Sequence, residues 1–166
     1  MRVHASSSPI KKLRDFKPTG SFSERCGDKP YGLWYGHNDA WLRWCLSERF
    51  NTHKYKHFYS LGFRGLKILR INSEEKLRNF TEGYAVLDQE EGAFLGIRGI
   101  DWEEVISKFD GIEIVPYIHA CRLDLKTRWY YGWDVAGGCV WSQKVTLKEL
   151  PSSHRFVRRY VNKRGA

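Results

Sequence analysis

Three short segments of this chain carry residues that could do chemistry together. Val3-His4-Ala5-Ser6 sets an imidazole and a hydroxyl on either side of a small residue. Gly32-Leu33-Trp34-Tyr35-Gly36 leads to a second aromatic group at Trp41 and Trp44, and Ile112-Glu113-Ile114-Val115 holds one carboxylate among apolar neighbours. Trp34 on a strand, with Trp41 or Trp44 on the helix after it, can wall a slot for a flat ring. Stacking of that kind is worth about 1–3 kcal/mol per aromatic partner. A strand period of two sends Ile112 and Ile114 to one face and Glu113 to the other, where a carboxylate must be solvated, paired or functional. Together the segments suggest a site for a nicotinamide dinucleotide. Breaking the bond from nicotinamide to ribose requires a held carboxamide, a sandwiched ring and a carboxylate for the positive charge that develops on the ribose. In that reading His4 bonds a ribose hydroxyl, the backbone at Ala5 approaches the carboxamide, Ser6 adds a hydroxyl and Trp34, Tyr35, Trp41 and Trp44 surround the ring. Glu113 is the expected catalytic carboxylate, with Asp134 in reserve. Taken one at a time, the same tryptophans also read as core, and a lone His4 as a packed or solvated side chain.

The elements that must position these residues follow from local signals. Arg2 to Ala5 reads as a strand, then a Ser-Ser-Ser-Pro turn and a short helix around Ile10 to Arg14; Pro18, Gly20, Gly27 and Pro30 punctuate a loop into the strand Tyr31 to Gly36. Asn38 or Asp39 caps a helix with Trp41, Trp44, Cys45 and Glu48 on one face. Leu66 to Ile71 is a strand, and Asn72 with Glu75 marks a capping box for a helix carrying Leu77 and Phe80 that Gly83 ends. Tyr84 to Leu87 is a further strand, and Asp101 with Glu104 caps a helix bearing Trp102, Val105, Ile106 and Phe109. Strands are expected over Ile112 to Ile118, Arg128 to Trp133 and Cys139 to Leu147. This order lacks a regular βαβ rhythm and predicts an α+β domain, residues 1–166, with a mostly antiparallel sheet, flanking helices and a basic C-terminal tail from about residue 150.

Composition narrows the partners. The chain of 166 residues has 28 basic against 19 acidic side chains, a formal charge of +9, which favours polyanions such as nucleic acid, acidic protein surfaces or nucleotide phosphates. Much of the excess lies at the ends, in Lys11, Lys12, Arg14 and Lys17 and in Arg155, Arg158, Arg159, Lys163 and Arg164. Seven tryptophans against one methionine predict a core and cleft walled by rigid rings. The four cysteines are scattered without a Cys-x-x-Cys pair, which fits a reduced, intracellular protein. His53 and His57 stand four apart without the His-Glu-x-x-His pattern, so no metal is expected. No apolar run is long enough to span a bilayer and the N-terminus lacks a signal-peptide core, so a soluble, cytoplasmic and monomeric protein is expected.

The three segments resemble the ADP-ribosyltransferase superfamily, in its branch with a His, aromatic, Glu triad that includes the poly-ADP-ribose polymerases and small bacterial and phage relatives. His4-Ala5-Ser6 is similar to that family's His-Gly-Ser or His-Gly-Thr. Gly32-Leu33-Trp34-Tyr35-Gly36 with Trp44-Cys45 is similar to its second strand and following helix, and Glu113 to its later glutamate. Ala5 stands where glycine is usual and Trp34 where tyrosine is usual, and the resemblance covers about a third of the chain. It implies a split sheet, NAD as co-substrate, and a mono-ADP-ribosyltransferase that modifies a macromolecule, nucleic acid or protein, and releases nicotinamide. An RNA 2′-phosphate transferase of the same fold is a further possibility. The alternative from another class is a non-enzymatic nucleic-acid-binding protein that grips phosphates with its basic ends and stacks bases on exposed tryptophans.

Overall fold

The computed structural model describes residues 1–13, 26–27, 29–87 and 97–164. The expectations at Arg14, Lys17, Pro18 and Gly20 lie outside these residues. A mixed seven-stranded sheet organises the chain, with strands β1 (Arg2–Ser6), β3 (Leu33–His37), β4 (His57–Gly62), β5 (Ile68–Ile71), β8 (Gly111–Ile114), β9 (Gly137–Val140) and β10 (Thr146–Glu149). Its order is β10-β4-β1-β3-β9-β8-β5. Only β5 and β8 run parallel, and they are joined through helices α2 (Glu74–Tyr84) and α3 (Trp102–Lys108). A separate three-stranded sheet, β2 (Cys26–Gly27), β7 (Ile97–Asp101) and β6 (Ala85–Leu87), stands beside it. The expected α+β class with a mostly antiparallel sheet is therefore the observed one.

The sheet separates two kinds of packing. On one face Ile71, Ile112, Ile114 and Cys139 meet Leu77, Phe80, Trp102 and Trp129 from α2, α3 and a 3-10 helix, Leu125–Gly132. Val3, Ala5 and Phe58 continue that face under helix α1 (Ala40–Ser47) and the C-terminal helix, here α5 (Arg155–Lys163), with the short helix α4 (His119–Arg122) completing the set. The other face packs Leu33, Tyr35, Tyr59, Leu61 and Val140 against Val145 and the partly buried Ile10, Leu13 and Phe63. Alternation decides which side chain goes where: Ile112 and Ile114 are fully buried on the helical face and Glu113 points to the other.

Several boundaries differ from expectation for physical reasons. Residues 128–133 form no strand. Adjacent Trp129 and Tyr130 are both buried, which a half-covered strand does not allow, and Asp124 accepts from the Lys126 amide to start the 3-10 turn. The β8 strand stops at Ile114, before Pro116, and residues 139–147 divide into β9 and β10 around a turn. Ser73 rather than Asn72 caps α2 by accepting from the Lys76 amide, and the helix continues through Gly83 to Tyr84. No helix forms at Ile10 to Leu13; both side chains pack on the sheet instead.

The C-terminal segment is a docked helix rather than a tail. Phe156, Val157 and Tyr160 are buried, Arg159 Nη1 donates to Asp39 Oδ2 at 2.7 Å, and Arg164 Nη1 donates to the Tyr55 carbonyl at 3.0 Å. Asp39 precedes α1 but makes no side-chain cap; its buried carboxylate is spent on Arg159 and on Arg43 at 3.2 Å. Asn38, at φ 54°, makes the left-handed turn from β3 into α1, a conformation Asn tolerates better than most residues. Among the described residues no helix is long and apolar enough to cross a membrane.

Candidate functional site

An aromatic-walled cleft begins where the sheet comes apart. Strands β1 and β3 pair only at Arg2 with His37 and Val3 with Gly36, although β1 stays paired to β4 through Ser6 and β3 to β9 through Leu33. Beyond Val3 the His4 ring spans the opening: its Nδ1 lies 2.6 Å from the Trp34 carbonyl oxygen. A carbonyl can only accept, so Nδ1 carries the proton and, in the neutral ring, Nε2 keeps a lone pair for a donor. Burial pushes the His4 pKa below its usual value against the opposing effect of that hydrogen bond. The ring is therefore neutral at physiological pH and suited to accept from a hydroxyl.

Large rings wall the cleft, a cavity of about 250 Å³. Trp34 meets Trp133 edge-to-face at 4.9 Å, and Trp41 faces them from α1, held in a stacked pair with Trp44 at 4.9 Å. Trp41 reaches this place because Gly36 lets the helix start tight against β3: a Cβ at 36 would stand 2.8 Å from the Trp41 nitrogen. Tyr55, Gly137 and Gly138 also line it. Two charged residues, Lys29 and Asp134, complete the lining; Lys29 Nζ lies 5.4 Å from the Trp34 ring, and the Lys29 stem passes over Gly132. The arrangement offers flat apolar surfaces to a ring and one carboxylate to whatever the ring is attached to.

The two candidate carboxylates have different situations. Glu113 does not line this cleft. Arg2 grips it with two hydrogen bonds, Nε to Oε2 at 2.5 Å and Nη2 to Oε1 at 3.0 Å, and the Tyr35 hydroxyl donates to Oε2 at 3.2 Å. Arg70 stands 3.6 Å away. Burial raises the Glu113 pKa, but the hydrogen bonds and charge of Arg2 outweigh it and hold the carboxyl below its usual range. Tyr35 can reach Glu113 because Gly138 lies between them in register and has no side chain to obstruct the ring. Glu113 opens instead on a second depression with Arg2, His37, Arg70 and Asn72. Asp134 lies in the cleft itself, about a quarter exposed, with the Arg122 guanidinium 3.8 Å away.

Of the residues expected from the sequence, His4, Ala5, Trp34, Tyr35 and Trp41 meet in the cleft. Trp44 supports it from behind Trp41, and Ser6 turns away to donate to the Ser8 carbonyl at 2.7 Å. Lys29, Tyr55 and Trp133 line it without having been expected. Trp133 was hidden by reading its segment as a strand, and Gly137-Gly138 by reading it as a connection. His53 and His57 share no helical face; His57 opens β4 and its Nδ1 pairs with Glu149 at 3.0 Å. Among the described residues no His, Cys, Asp and Glu cluster could hold a metal ion, and Cys45, Cys121 and Cys139 are buried thiols. No family, curated protein or solved structure matches the chain in comparisons of sequence and fold.

Proposed function

We propose that the protein is a mono-ADP-ribosyltransferase that binds the nicotinamide end of NAD in the cleft between β1 and β3 and transfers ADP-ribose to a macromolecule. The observation that carries this reading is the meeting of Trp34, Trp41 and Trp133 with neutral His4 and Asp134 around one opening of the sheet. Its volume is below the roughly 300–1,000 Å³ of pockets that enclose a whole small ligand, so it suits one end of a dinucleotide. The rings sandwich nicotinamide, His4 Nε2 accepts from a ribose hydroxyl, and Asp134 faces the ribose carbon as the bond to nicotinamide breaks. The bonding pair leaves with the nicotinamide nitrogen and neutralises its pyridinium charge. A lone pair of the acceptor then bonds to the ribose carbon, and the acceptor's proton passes to Asp134 or to solvent. In this mechanism Glu113 is a positioning residue that fixes Tyr35 and Arg2, and its catalytic role passes to Asp134.

The placement of the tryptophans also weighs against the purely binding alternative, since all seven are buried or half-buried and none stands exposed beside the basic residues. The decisive experiment follows release of nicotinamide from NAD by the parent protein and by Asp134→Asn. The expected loss is about 100- to 1,000-fold, the range for one preorganised electrostatic group, with little change in thermal unfolding. A parent protein that neither binds nor consumes NAD would refute the reading, and a folded Asp134→Asn protein at the parent rate would remove Asp134 from it.

A further inference from the structure

We infer that the lip of the cleft around Tyr131 is a docking platform for single-stranded nucleic acid, which identifies the acceptor class of the proposed transferase and in that sense rests on that reading. Tyr131 is 58% exposed, unusual for a ring one residue away from the cleft-lining Gly132. It belongs to a turn whose outward side chains also include exposed Lys126 and Arg128. Across the lip the Lys29 stem lies on Gly132, and Tyr31, two residues further along the chain, is also exposed. Asp124 attracts Lys126 but is also paired with Arg78 at 2.6 Å, so this one carboxylate does not balance Lys126 and Arg128 together.

The link to the chemistry is one side chain. Arg122 lies over one face of the Tyr131 ring at 5.5 Å and reaches to 3.8 Å from the Asp134 carboxylate, so a base stacked on the other face is linked through Arg122 to the residue that faces the ribose carbon. An exposed ring beside cations matches a strand with unpaired bases, which offers π-faces and phosphates at once. Duplex DNA hides its base faces, and an acidic peptide supplies charge without a regular array of rings. The charge pattern and the exposed tyrosines thus favour the single strand over either.

Fluorescence anisotropy with a labelled oligothymidylate, run without NAD, tests the platform independently of nicotinamide release. The single strand is expected to bind more tightly than the matched duplex, and binding should weaken steeply with salt. Tyr131→Ala should weaken it about 5- to 150-fold, the worth of one base–aromatic stack, and Lys126→Ala with Arg128→Ala should flatten the salt slope. Each substitution is at an exposed position, and thermal unfolding verifies that the fold is kept. Equal affinity for duplex, binding that ignores Tyr131→Ala, or displacement by polyglutamate at matched charge would overturn the inference, the last in favour of an acidic protein partner. Loss of oligonucleotide binding with nicotinamide release intact would leave the transferase reading standing without this acceptor. The reverse result would keep the platform and remove the transferase.

Discussion

Replacing Glu113 by Gln separates a carboxylate that holds the fold from one that does chemistry. In the parent, Arg2 makes two hydrogen bonds to a carboxylate whose side chain is 11% exposed, and Tyr35 makes a third. The amide keeps the shape and can still accept, but it leaves the Arg2 guanidinium without its counter-charge. Breaking a buried ion pair costs about 3–5 kcal/mol, and the partial exposure of Arg2 with the acceptance retained by Gln reduces this to about 2–3 kcal/mol. For a chain of this length that is a fall in Tm of about 4–12 °C. Because the folded-state pKa of Glu113 lies below its ordinary value of 4.5, its contribution is full above that value and is lost as pH falls through the folded pKa. The gap between parent and Glu113→Gln should therefore be widest near neutrality and close as pH is stepped down below about 4.5, since the amide does not titrate. Thermal unfolding followed by circular dichroism across that range is the assay. A gap under about 1 °C near neutrality, or one that stays constant into acid, refutes the argument. If the variant is instead as stable as the parent and stops releasing nicotinamide, Glu113 belongs in the chemistry after all.

Two further outcomes test the frame around the cleft. Thr81→Val keeps the volume but removes the acceptor for Trp129 Nε1, which donates to Thr81 Oγ1 at 2.8 Å in a buried setting, and should lower stability by about 1–3 kcal/mol; a urea midpoint that does not move would show that the indole is satisfied elsewhere. Neutral His4 has a folded pKa below 6.5, so its contribution is complete above that value and declines as pH falls toward the folded pKa, because the unfolded chain takes up the proton first. His4→Gln should flatten the stability profile as pH falls below about 6.5, and an unchanged slope would place the titration on another group.

What was legible in the sequence was local. The Asp101 cap, in which the side chain accepts from the Glu104 amide at 2.9 Å, spans only four residues, and the opposed faces of Ile112 and Glu113 need only a strand. The strands at His4 and Trp34 and the helix bearing Trp41 follow from the same kind of signal. The partner of Glu113 was not legible, because Arg2 is 111 residues away and an arginine near a chain end reads as surface charge. Nor was the docking of Arg159 on Asp39, 120 residues away, which turns part of an apparent basic tail into a tie between helices. Trp133 entered the cleft through a 3-10 turn whose tertiary burial overrode the β-forming character of Arg128 to Trp133. The cleft is made by the sheet's parting, and no stretch of chain contains that.

The short pairing of β1 with β3 has one more effect. In an antiparallel strand the N–H and C=O of a residue face the same neighbour, and the Trp34 carbonyl faces His4, so the Trp34 N–H points into the gap as well. Continuing the register past Val3 and Gly36 would set Ala5 opposite Trp34, yet no pairing is made there. The ladder has been left unzipped by one rung, where the Trp34 carbonyl is taken by His4 and the Trp34 N–H faces the gap. A ligand oxygen placed at that rung would meet a main-chain donor rather than a side chain, so its recognition would tolerate exchange among small residues at position 5.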